Sequence, residues 1–99
     1  MSRRDVFLLT RPPRSSRAEL CLGMILHSQS AVLYLAGDGV YNLIDIPSLK
    51  LHPNVRVIAC KEDAMARGID MGDWADNPDN FYELLAADMI SDGSRIYAF

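Results

Sequence analysis

Val55-Arg56-Val57-Ile58-Ala59-Cys60-Lys61-Glu62-Asp63-Ala64-Met65-Ala66-Arg67-Gly68 reads as a strand that turns directly into a helix. The β-branched run at residues 55–60 suits a strand buried on both faces. Residues 61–67 carry good helix formers and stop at Gly68, which tolerates the left-handed backbone that ends helices. Toward the N-terminus the same order recurs. Ala31-Val32-Leu33-Tyr34-Leu35 is continuously apolar and ends at Gly37-Asp38-Gly39, a turn with two permissive glycines. Val6-Phe7-Leu8-Leu9 is a third such run, stopped by Arg11-Pro12-Pro13-Arg14. Behind it Ser16 and Glu19 form a capping box, and Ala18, Leu22, Ile25 and Leu26 recur at helical spacing up to His27.

The remaining segments are weaker. Residues 40–46 predict a short helix that Pro47 ends, followed by a loop through His52 and Pro53. Residues 69–80 are polar and acidic around Trp74, so a fourth strand there is very short or missing. Phe81, Leu84, Leu85 and Met89 then outline an amphipathic helix, with Asn77 or Asn80 as its cap and Pro78 in its first turn. Residues 95–99 make the last strand. Strands that alternate with helices and stay apolar throughout predict a parallel sheet covered on both sides. The expectation is one α/β domain over residues 1–99, a small flavodoxin-like three-layer sandwich with a mostly parallel sheet of four or five strands. Ligands and chemistry in such sheets gather beyond the carboxyl ends of the strands, here residues 10–15, 36–41 and 60–63.

The 99 residues are 49% hydrophobic and 23% charged, which fits a folded domain rather than a disordered one. A net charge of −3 argues against binding nucleic acid by bulk electrostatics. The charge is polarised: Arg3, Arg4, Arg11, Arg14 and Arg17 crowd the start, whereas nine of the thirteen acids lie between Glu62 and Asp92. That pattern fits two solvated faces, or a subunit that docks partners by charge complementarity. The basic start meets only residues 6–9 before Thr10 and two prolines, unlike a secretory signal, and no run approaches the roughly 18 apolar residues of a membrane span. Cys21 and Cys60 form no Cys-x-x-Cys pair, so two reduced thiols in a cytoplasmic protein are the expectation.

Cys60 sits where a strand gives way to a helix, a position that can favour a thiolate, although a cysteine in a valine and isoleucine context also suits packing. Glu62 and Asp63 beside it oppose a negative sulfur. Cys21 falls at the border of the first helix's apolar stripe, a position that can be half exposed, with Arg17 one turn earlier as a possible thiolate stabiliser. His27 and His52 are isolated, so no metal site is expected, and none of the patterns of a bound cofactor is present. Asp70, Asp73, Asp76 and Asp79 lack the glycine and closing glutamate of a calcium loop. Gly37-Asp38-Gly39 could cradle an anion, and residues 37–41 a small ligand, but no Walker or dinucleotide fingerprint surrounds them. Ser15 and Ser16 read as helix caps rather than nucleophiles.

Phe7-Leu8-Leu9-Thr10, Asp38-Gly39-Val40-Tyr41 and the segment from Cys60 to Ile69 resemble the DsrH/TusB family of sulfur-relay proteins, over residues 5 to about 69. The Lys-Glu-Asp to Arg-Gly segment after a strand is the most specific part. The acidic stretch around Trp74 departs from the family's pattern. The resemblance implies a sulfurtransferase-complex subunit of the DsrE/DsrF/DsrH type, serving tRNA wobble-uridine thiolation or sulfur oxidation. Its implied partners are related DsrE/DsrF-like subunits, or further copies of itself, together with donor and acceptor proteins. By the same resemblance Cys21 looks like the persulfide-bearing thiol that sulfur-oxidising DsrH-like proteins carry in the first helix. TusB-like members commonly lack that thiol and act as structural partners, and the family assigns Cys60 no role.

Overall fold

The computed structural model describes residues 4–44, 54–70, 75–91 and 93–99. Four strands, β1 (Arg4–Leu9), β2 (Ala31–Leu35), β3 (Val55–Ala59) and β4 (Ser94–Ala98), form one all-parallel sheet in the order β3-β2-β1-β4. Helix α1 (Ser16–Leu26) links β1 to β2, α2 (Lys61–Ala66) follows β3, and α3 (Phe81–Ile90) precedes β4. The expected α/β sandwich with a parallel sheet is the observed one.

Strand alternation divides the core in two. Phe7, Leu9, Leu33, Leu35, Val57 and Ala59 point to the face covered by α1, α2 and the segment after β2. Val6, Val32, Tyr34, Ile58 and Cys60 point to the other face, where Phe81 and Leu85 of α3 lie on them. Strands buried on both faces must be apolar at every position, which is why β2 carries no polar residue apart from the Tyr34 hydroxyl. That hydroxyl donates to Asp88 of α3, which also pairs with Arg4.

Several boundaries move. Ser15, not Ser16, caps α1, its Oγ accepting from the Ala18 amide at 3.2 Å while donating to the Pro12 carbonyl at 2.7 Å. The Pro-Pro turn thereby becomes the anchor of the cap. Residues 37–44 form a 3₁₀ helix, so Gly37-Asp38-Gly39 is its first turn rather than a loop before a helix. Gly39 presses against the end of β1 so closely that a Cβ there would stand 2.0 Å from the Leu9 carbonyl oxygen. Asn42, fully buried, bridges this helix to the loop after β1 by donating to the carbonyls of Gly39 and Arg11 at 2.9 and 3.0 Å.

Within the acidic stretch, where a very short strand or none is expected, Asp76 makes a parallel bridge to the outer edge of β3. Its amide donates to the Val57 carbonyl, and its carbonyl accepts from the Ala59 amide. Asn80 occupies the cap position of α3 without a side-chain capping bond, and Pro78 lies before the helix rather than in its first turn. Met89, expected on the buried stripe, is 43% exposed. The predicted loop through His52 and Pro53, Pro47, and Trp74 lie outside the described residues.

Candidate functional site

The two cysteines lie on opposite faces of the sheet. Cys21 is fully buried beneath α1, not half exposed. The buried stripe of α1 is Ala18, Cys21 and Ile25, with Leu22 only partly covered and Leu26 54% exposed. Hydropathy weights leucine above cysteine and so draws the expected stripe toward Leu22 and Leu26. In the structure the small side chains face the sheet. Burial alone pushes the Cys21 thiol up to about 12. Arg17 is exposed on α1, and no cation contributes to the thiol's equilibrium.

Cys60 follows Ile58 by two residues and therefore projects to the α3 face, at the carboxyl end of β3. It is 4% exposed and forms part of the wall of a cleft of about 300 Å³. Lys61 and Glu62 line the same side of the cleft, and residues 78–83 line the other. Its thiol is raised above the ordinary value, first by burial and then by the nearby Asp63 carboxylate. The amides of Asp63 and Glu62 act the other way, in favour of the thiolate. They do so without a capping bond, since the sulfur makes none to α2. With only six residues, α2 adds little dipole of its own.

Asp63 is held from two sides. The Gly37 amide donates to its Oδ2 at 2.7 Å, and an Arg67 guanidinium nitrogen lies 3.9 Å from Oδ1. Arg67 also donates to Asp38 Oδ1 at 3.1 and 3.2 Å and to the Asp63 carbonyl at 3.0 Å, and its guanidinium carbon stands 5.9 Å from the Tyr41 ring centroid. The two most telling sequence segments, the Asp-Gly turn after β2 and the Glu-Asp to Arg-Gly helix after β3, thus clasp each other at the head of Cys60's helix. The anion-cradle reading of Gly37-Asp38-Gly39 meets an amide already engaged by the protein's own carboxylate.

Tyr82 faces Cys60 across the cleft. Its ring stands edge-on to Phe81 at 5.0 Å and 85°, and Phe81 stands edge-on to Tyr34 at 5.5 Å and 79°. Burial, and then the charges of Cys60, Asp63 and Glu62, raise the Tyr82 hydroxyl's pKa. Sequence reasoning passed over Tyr82 because a tyrosine beside a helix start carries no motif. The one usable signal was its place next to Phe81, the residue that anchors α3. Among the described residues no group of three or more His, Cys, Asp or Glu is placed to hold a metal ion. No helix among them is long and apolar enough to cross a membrane. Comparison with known proteins finds no family model and no curated protein that matches the chain.

Proposed function

We propose that the chain is a sulfur-relay subunit of the DsrH/TusB type that passes persulfide sulfur between proteins through Cys60. The observation that carries this reading is the placement of Cys60 in the wall of an open cleft at the carboxyl edge of a parallel sheet. Cys21 is the weaker carrier, because sulfur could reach it only if α1 lifted from the sheet. The relay needs no cofactor. The Cys60 thiolate attacks the terminal sulfur of a donor persulfide, a new S–S bond forms as the donor's S–S bond breaks, and the donor leaves as a thiolate that takes up the proton Cys60 gave up. An acceptor thiolate then removes the same sulfur and returns Cys60 to its starting state, with no net oxidation.

A second reading, a structural subunit that acts without a thiol of its own, draws support from the raised pKa of both cysteines. Incubation with glutathione persulfide followed by intact-mass analysis separates the two. The relay reading expects one added sulfur on the wild type and on Cys21→Ser, and none on Cys60→Ser. Loading that persists in Cys60→Ser would overturn Cys60 and move the carrier to Cys21, and loading that fails in the wild type would leave the structural reading standing instead.

A further inference from the structure

We infer that Tyr82 is the group that receives the negative charge of the Cys60 sulfur, its hydroxyl donating to the thiolate and then to the persulfide that replaces it. The inference rests on the relay reading through Cys60 and adds to it a residue for the charged intermediates. Tyr82 and Cys60 form opposite walls of the same 300 Å³ cleft. The aromatic ladder from Tyr34 through Phe81 fixes the position of the Tyr82 ring from the sheet outward. Tyr82 is nevertheless 61% exposed, so its hydroxyl is not spent on burial within the core.

The surroundings explain why such a donor is needed. The carboxylates of Glu62, Asp79 and Glu83 line the cleft with Asp63 just behind them, and Lys61, the cation in that lining, stands 3.5 Å from Asp79. A sulfur anion formed in this cleft is repelled from most sides. As a thiol, Cys60 lies beside the Asp63 carboxylate, which favours the protonated sulfur and which the Gly37 amide and Arg67 hold in place. As a thiolate it is repelled by that carboxylate, and the Tyr82 hydroxyl on the same cleft becomes its side-chain donor beside the Glu62 and Asp63 amides. The sulfur therefore exchanges one partner for another as it loses its proton. During transfer the same hydroxyl lies beside the Cys60 sulfur while its bond to the incoming sulfur forms and the donor thiolate departs.

The test is the pH dependence of alkylation by iodoacetamide, which reads the Cys60 thiolate without any sulfur chemistry. It is carried out on a Cys21→Ala background, and Tyr82→Phe keeps the ring and its contact with Phe81 while deleting only the hydroxyl. Loss of a hydrogen bond to a charged group at a partly exposed site predicts about 3- to 10-fold slower alkylation at neutral pH, with the profile moved to higher pH. Glutathione persulfide loading should slow by the same factor, with the melting temperature unchanged. Asp63→Asn should move the profile the opposite way, because it removes the carboxylate that favours the thiol. A Tyr82→Phe profile that overlies its parent while Asp63→Asn still moves would overturn the role of Tyr82. The relay reading would be untouched, since it stands or falls with Cys60→Ser.

Discussion

Cys21 and Cys60 are the same side chain in two settings separated by one sheet. Beneath α1, Cys21 belongs to an apolar cluster and behaves as a small hydrophobe whose thiol burial holds in the protonated form. On the α3 side, Cys60 is almost as well covered, yet it ends a strand rather than sitting mid-helix. It therefore meets amides, a carboxylate and a tyrosine hydroxyl at the wall of a cleft. Exposure alone does not distinguish them. Polar partners and an opening to solvent do.

The sharpest way to break this contrast is to compare the two alkylation rates in the native protein. Cys21 can react only through opening of the fold, which for a unit held by several kcal/mol makes it about 10²- to 10³-fold slower than Cys60. Peptide mapping after timed exposure to iodoacetamide checks this, and equal rates would remove the distinction.

An alkaline stability profile probes the buried member. A thiol raised to about 12 in the fold remains protonated there after the unfolded chain has ionised, so the native state binds the extra proton. Stability from Cys21 is thus complete below the unfolded thiol's pKa of 9.0 and is lost as pH rises toward 12, at about 1.4 kcal/mol per pH unit. Urea titrations between pH 9 and 11 should show a steeper decline in the wild type than in Cys21→Ala, and parallel curves would contradict it.

Serine substitution should give effects of opposite sign and smaller size. Cys21→Ser leaves a hydroxyl among apolar groups and should cost about 1–3 kcal/mol. Cys60→Ser places a favoured capping residue before α2, in the position where sulfur makes no capping bond, and should be neutral or stabilising by about 0.5 kcal/mol. Thermal melts of the two variants side by side measure the difference.

Much of this architecture was legible in the chain. Three apolar runs followed by helix formers gave the strand order along the sequence and the parallel sheet, because a strand buried on both faces has no room for polar positions. The site was legible only in part. Cys60 could be placed at a strand end, and its parity with Ile58 already assigns it to one face. Its cleft could not be read, since α3 reaches it through the stretch at residues 69–80, where periodicity is absent. Cys21 was misplaced because stripe arithmetic ranks leucine over cysteine, whereas a helix lying on a sheet turns its small side chains inward.

Local residue chemistry by itself determined the elements: runs of β-branched and aromatic residues, a serine cap, and glycines after a strand and a helix. Those are decided within a few residues by backbone preference and hydrophobic period. Tertiary structure alone decided which thiol has polar company, that Asp63 is held by the Gly37 amide, and that Tyr82 stands opposite Cys60. Each of those depends on residues about 20 or more positions apart meeting at one edge of the sheet, and sequence spacing holds no information about such meetings.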